Sequence, residues 1–538
     1  MPTGLRFRPL GALAVLSTLL FGAMPAAAQG DTRPVLRIGV QQLTTTGKLE
    51  AVGEYSNVGL RGFYSFLEPL IDYERQDPMT PVKPGLAMSW TRVNDRTLEL
   101  KLRQGVKFHN GDEMTAEDVA FSFGSERMFG FGTANATGET REPPTAAVSS
   151  IRSLWPALET IEAIDRYTVR FINKSPDPTM EGRLSRIGSE IISKRAFLEA
   201  PSWNAWARKP VGTGPYKVSE FSNDTVLVLD AHDDYWGGRP PVRQIRWLVV
   251  PEVASRVNGL ISGQYDFITD VPPDQVKTIS QNPRFEVVGG PVNNHRIINF
   301  DTSHPVLKDA RIRQAMTLAV DRKLIADTLF DGRVDVPRGL QWPFYGAFYV
   351  ADHASPGFDP ARARQLIAQA NYKGEPIAFR ALSYNYYTNQ VPVSQVVTEM
   401  WRAVGLNVQI ESKENWAQVL ERTPGRGIRD WSNSAPYNDP VSSMVSQHCP
   451  RGQQQQIGEW SNAEFNALCA TLEASGDQAA RQSAFRRMLT IIEVEDPGYV
   501  LLYQTTLLYA KRKDIAWTFS PLQSMDFRAG NLAFRSSP

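Results

Sequence analysis

Residues 86–122 read LAMSWTRVNDRTLELKLRQGVKFHNGDEMTAEDVAFS, and within that stretch the backbone must change period. Thr97, Glu99 and Lys101 alternate with Leu98, Leu100 and Leu102, the period-two pattern of a strand with one buried face. Gly105 permits a turn, Val106 and Phe108 return apolar side chains, and Asn110-Gly111 tolerates the positive φ of a tight reversal. Thr115 is a good N-cap with Asp118 placed to reach back as in a capping box, so a helix is predicted over 116–124. A strand, a hairpin-like turn and a capped helix in this order point to a mixed α/β fold.

The same reading continues along the chain. Strands are predicted at Val35–Val40, 168–172, 226–229, 245–250, 267–269, Ile377–Leu382 and 407–411, and helices at 194–198, 254–262, 361–370 and 391–403. Ile312, Ala315, Met316 and Ala319 give the i, i+3, i+4, i+7 face of a further helix after Asp309, and Asp321 caps the next one. The Thr- and Gly-containing stretch 42–53 is read as a ligand-facing loop, and 129–148, rich in Gly, Thr and Pro, as a long surface loop. Gly212-Thr213-Gly214 lacks the glycine spacing and the Lys-Ser/Thr pair of a phosphate-cradling loop, so it is read as structural.

Taken in order, EPLI from Glu68, PGLA from Pro84, the LAxSW to TAEDVxFS stretch, GTGPYK from Gly212, DYWGGRP from Asp234, the SGxxD turn ending at Asp266, and 297–332 resemble the family 5 extracellular solute-binding proteins. These are the peptide, nickel and opine binders that serve ABC importers. The resemblance implies a periplasmic-binding-protein-like fold of two α/β lobes with a hinge and an extra inserted subdomain. It implies the division 29–66, 206–297 and 498–538 for the first lobe, 67–205 for the inserted subdomain and 298–497 for the C-terminal lobe. A solute would be captured between the lobes and handed to permease subunits in the inner membrane.

Composition agrees with that class. About 500 residues exceed one ordinary core. With 58 basic and 57 acidic residues the formal charge is +1, which gives no reason to expect nucleic acid or an anionic membrane as partner. Arg6 and Arg8, an apolar run from Leu10 to Ala23, and Ala26-Ala27-Ala28 read as a secretory signal peptide over 1–28; the run is shorter than the ~20 residues that cross a bilayer. No Cys stands at the cleavage point, so a freely soluble periplasmic monomer is expected. Cys449 and Cys469 are expected to form a disulfide in that oxidising compartment, with two independent thiols as the alternative.

Ligand contacts are sought among aromatics of the C-terminal lobe: Trp342, Phe344 and Tyr345 in a Gly/Pro-containing loop, Tyr384, Tyr386 and Tyr387 after a strand, and Trp416, Trp431 and Tyr437. Trp401 is read as core. In peptide binders of the family, the segment comparable to 431–440, WSNSAPYNDP, supplies an Asp that pairs with the ligand's α-ammonium. Here the residues between Trp431 and Asp439 contain no carboxylate, and if Pro436 takes that place Asp430 or Asp439 compensates only if the backbone shifts. A charge-assisted hydrogen bond of ~1.5–3 kcal/mol is thereby missing. Modified peptides, opines, oligosaccharides and metal chelates stay open as ligands; Arg296 and Arg338 are read as structural or surface residues. No HExxH or GxSxG occurs, and the 6 histidines form no helical ligand pair, so neither a hydrolase nor a bound cofactor or metal is expected.

Overall fold

The computed structural model describes residues 1, 3–4, 31–73, 82–129, 142–186, 188–423 and 425–535. The predicted export segment and the middle of the 129–148 loop lie outside the described residues. The flanks of that loop are helical, Ser125–Phe129 and Thr145–Leu154, where an irregular loop was expected.

A ten-stranded mixed sheet runs through the molecule in the order Val408–Lys413, Ile377–Leu382, Ile428–Ser434, Phe285–Phe300, Tyr499–Arg512, Phe267–Ile268, Val35–Val40, Gln244–Val249, Val226–Ala231, Tyr216–Ser222. Its two long central strands are antiparallel and belong to both halves. Phe285 to Pro291 pair with Arg512 to Thr506, the register shifts between Pro291 and His295, and pairing resumes from His295–Gln504 to Asn299–Tyr499. Gly289, at φ +134°, stands where a Cβ would lie 2.1 Å from the Leu507 carbonyl oxygen, so only glycine fits this crossing.

Separate cores flank the ribbon. One gathers Leu36, Ile38, Phe63, Trp247, Phe267, Tyr509 and Trp517 on the N-terminal side, and it also takes in Phe121, Ile192, Phe197, Trp203 and Trp206. Ile298, Ile312, Met316, Phe379, Val397 and Trp401 fill another on the C-terminal side. A four-stranded antiparallel sheet, in the order Ala87–Asn94, Thr97–Leu102, Thr168–Asn173, Leu158–Asp165, carries its own core of Leu98, Leu100, Leu102, Val169 and Phe171.

The recurring motifs explain themselves as joints. Glu68 is buried and accepts from the hydroxyls of Thr213 (2.8 Å) and Tyr235 (2.6 Å) and from Trp236 Nε1 (2.9 Å), so EPLI, GTGPYK and DYWGG meet at one carboxylate. A Cβ at Gly212 would lie 2.3 Å from the Phe66 carbonyl oxygen; the glycine admits a neighbouring backbone and cradles no phosphate. Asp266 binds the Arg37 N–H (2.9 Å) and pairs with Arg512 (3.0 Å). Asp118 accepts from the Thr115 N–H (3.0 Å) and the Lys194 N–H (3.1 Å), tying two helix starts together. Its helix, Ala116–Ser122, is shorter than predicted, since the chain turns at Phe123 and restarts at Ser125. Just before the helix Lys194–Glu199, Glu190 forms an isolated antiparallel bridge with Pro69.

Candidate functional site

Ile377–Leu382 is parallel to both Val408–Lys413 and Ile428–Ser434, so the segments that follow these strands emerge at one edge of the C-terminal half. That edge is where open α/β sheets present ligand-binding loops. The first segment carries Tyr384 to Tyr387, the second the short helix Trp416–Leu420, and the third Ala435 to Tyr437. The Tyr386 ring meets Tyr387 (4.8 Å) and Trp416 (5.3 Å) edge-on, and Trp416 meets Trp431 (5.1 Å). Arg296 lies over Tyr387 (3.7 Å) and Arg429 over Trp431 (4.4 Å), each a cation facing a ring.

Residues of the N-terminal half close on this wall. Asn57 Nδ2 donates to the Tyr387 hydroxyl (3.0 Å), which also shares a 2.6 Å hydrogen bond with Ser432. Gln41 Nε2 donates to the Asn385 carbonyl (2.6 Å), and Val58 packs with Leu382, Tyr386 and Val419. Gln41, Asn57 and Val58 were missed by sequence reading; Gln41 adjoins the loop expected to face a ligand, whereas nothing local marks Asn57. A second meeting point joins the surroundings of the four-stranded sheet to the C-terminal half, where Arg183 pairs with Asp177 (2.9 Å) and reaches Glu473 (3.6 Å). All three line a cavity of about 850 Å³ with Phe123, Trp155, Leu158 and Arg451.

Tyr386, Tyr387, Trp416 and Trp431 thus come together, with Tyr384, 37 % exposed, beside them. Trp342, Phe344 and Tyr345 do not join them. Expected on the surface because of the Pro343 and Gly346 signals, they are 1 %, 7 % and 2 % exposed. Pro343–Phe348 is a short 3-10 turn set against Phe485, with Trp342 stacked on His295 at 4.0 Å and the Tyr345 hydroxyl bonded to Ser443 (2.7 Å). Tyr437 is buried against Gly182.

Neither acidic residue near Pro436 compensates for it. Asp430 is buried in a pair with Arg296 and accepts from Gln390 Nε2 (2.5 Å). Asp439 caps a 3-10 turn through the Val441 N–H (2.9 Å) and pairs with Arg481 (2.8 Å). Arg338 donates to the His353 carbonyl (3.2 Å). His109 Nε2 lies 3.1 Å from the Gly214 carbonyl oxygen, and burial pushes its ring down to about 3, which keeps it neutral. Among the described residues no group of three or more His, Cys, Asp or Glu is placed to hold a metal ion, and no helix is long and apolar enough to cross a membrane. Cys449 and Cys469 are bridged, with Cα atoms 5.9 Å apart.

The profile of the bacterial extracellular solute-binding proteins, family 5, matches residues 81–453. The chain belongs to that family. This solute-binding protein is 22% identical over 467 residues to the dipeptide-binding protein of Escherichia coli K12, covering 83% of the chain and 86% of the relative. Its fold superposes at TM-score 0.81 on the Helicobacter pylori periplasmic binding protein DppA in complex with the peptide STSA, at 19% identity, covering 94% of this chain and 98% of that one. At TM-score 0.76 and 21% identity it also matches AgaA of A. tumefaciens R10 in complex with agropinic acid, covering 94% and 99%. The matched span holds Asp118, Gly212, Thr213, Tyr235, Trp236 and Asp266, so in this solute-binding protein the family signature is largely interior scaffold.

Proposed function

We propose that this family 5 protein is the periplasmic receptor of an ABC importer. It captures a peptide-like or opine-like solute between two lobes and delivers it to permease subunits in the inner membrane, acting as a binder and not an enzyme. In this reading residues 1–28 are removed on export and the mature chain works as a monomer. The lobes are 29–66 with 206–297 and 498–538, and 298–497, with 67–205 inserted.

The observation that carries the proposal is the aromatic wall of Tyr386, Tyr387, Trp416 and Trp431, touched from the opposite half by Asn57 and Val58. Closing two bodies on a solute removes its surface from water, and the interactions that the solute then makes with both bodies at once favour the closed form. The internal pairing of Asp430 and Asp439 leaves no carboxylate for a free α-ammonium in the Trp431–Asp439 interval, which favours modified peptides and opines over unmodified peptides. The test is a thermal-shift screen of the refolded, ligand-stripped protein against di- and oligopeptides, opines, sugars and metal chelates. At least one peptide or opine is expected to raise the melting temperature. A rise with a sugar alone would remove the ligand class and keep the receptor, and turnover of any compound by the isolated chain would sink the binder reading.

A further inference from the structure

The cavity of about 850 Å³ that Arg183 and Glu473 line is built apart from the aromatic wall: Tyr386, Tyr387, Trp416 and Trp431 are not among its described lining residues. Its floor belongs to the four-stranded-sheet unit. Phe123, Met128, Ile151 and Trp155 form it, with Leu158 and Ile161 from the edge strand Leu158–Asp165. Trp155 meets Phe123 edge-on at 5.0 Å and donates from Nε1 to the Gly188 carbonyl (3.4 Å), which holds the indole in place. The roof is Ala470, Glu473 and Ala474 on the helix Ala463–Ala474 of the C-terminal half, and the Cys449–Cys469 bridge ties the segment carrying Arg451 to the same helix.

Interiors pack with few voids larger than a water molecule, and a space of this size falls within the ~300–1,000 Å³ of pockets that hold small molecules. Leu158 and Ile161 are half-buried while Glu159 and Lys174 are exposed, so the cavity has an open side. Charge decides what kind of molecule enters by it. The described lining holds three cations, Lys174, Arg183 and Arg451, and three anions, Glu159, Asp177 and Glu473. The inner ones are committed to one another. Arg183 pairs with Asp177 (2.9 Å) and Glu473 (3.6 Å) and donates to the Leu154 carbonyl (2.8 Å). Asp177 also accepts from the Thr179 N–H (2.9 Å) and hydroxyl (2.7 Å), and Glu473 pairs with Arg451. An ionic ligand would either break one of these pairs or carry its own charge partly out of water without a partner, and both are costly.

We propose that this cavity is a second binding site, for a small uncharged molecule with an aromatic or aliphatic body, separate from the aromatic wall. The apolar floor supplies the contact area, and the ring of matched charges rejects ions while leaving a neutral body undisturbed. Because the floor belongs to the four-stranded-sheet unit and the roof to the C-terminal half, an occupant touches both at once.

Two fluorescent probes with the same rings decide it: neutral N-phenylnaphthylamine and its sulfonated analogue, anilinonaphthalene sulfonate, each titrated into the stripped, full-length protein. The neutral probe should bind one to one and at least about tenfold more tightly than the sulfonate. Ala470 lies on an exposed stretch of the roof helix, so A470W puts bulk into the cavity without touching a core. It should weaken the neutral probe by about tenfold or more while melting cooperatively, whereas A470S and W416A should each stay within about twofold of wild type. Failure of the wild type to bind the neutral probe, or equal binding of the sulfonate, would overturn the site, and neither result depends on a variant that must fold. Full binding by A470W, or loss of binding in W416A, would overturn it too, the latter by moving the probe to the aromatic wall. A peptide or opine that raises the melting temperature should leave the probe bound. Its displacement would remove the second site and keep the receptor, whereas probe binding without any responsive solute would keep the site and count against the receptor.

Discussion

Glu190 is buried after the helix Met180–Arg183, and its ionisation is disfavoured by that burial from the ordinary 4.5 up to about 7. A carboxyl whose folded pKa lies above its unfolded value binds more protons folded than unfolded. Its contribution to stability is therefore full below pH 4.5 and is lost as pH rises from there through about 7, a change of about 3 kcal/mol. Replacing it by glutamine keeps an acceptor for the Gly188 N–H and removes the titration. Wild type should lose melting temperature relative to E190Q between pH 4.5 and 7.5; curves that stay parallel would show that Glu190 is not the titrating group. This carboxyl was not visible in the sequence as special, because what distinguishes it is the burial that the fold imposes around it.

At the scale of elements, legibility followed how local the cause was. The leucines of Thr97–Leu102 face one core as their alternation requires, and Asp309 and Asp321 cap helices through the N–H groups of Arg311 and Leu324. Trp342, Phe344 and Tyr345 were misread because Pro and Gly report a turn, whereas burial of that turn depends on Phe485, more than a hundred residues away in sequence. The aromatic wall was half legible: Tyr386, Tyr387, Trp416 and Trp431 could be named, but the approach of Asn57 and Val58 is a tertiary fact. The bridge from Cys449 to the helix Ala463–Ala474 closes a 20-residue separation and braces the segment holding Arg451 against the helix holding Glu473. A C449S/C469S double variant should lose about 3 kcal/mol in urea unfolding, the range for a loop of this length. Titration of the denatured, unreduced wild type should find no free thiol, and two free thiols would remove the bridge.

For the whole molecule, the ribbon of Phe285–Phe300 and Tyr499–Arg512 is the only long-strand connection between the two halves of the main sheet among the described residues. The register shift between Pro291 and His295 is the place where it can bend with least loss of pairing. A saturating ligand should therefore reduce the radius of gyration measured by small-angle scattering, as two bodies rotate together. An identical profile with and without a ligand proven to bind would rule out closure as the response.

The position of Tyr499–Arg512 also sets an order of events during synthesis. It lies between Phe267–Ile268 and Phe285–Phe300, so strands made near the middle of the chain wait for a neighbour delivered near its end. Until then both strands keep an open edge, and the first core lacks Tyr509, Trp517 and Phe527. Such a chain cannot complete its N-terminal body while translation is under way, which keeps it in a threadable state for as long as an export channel would need.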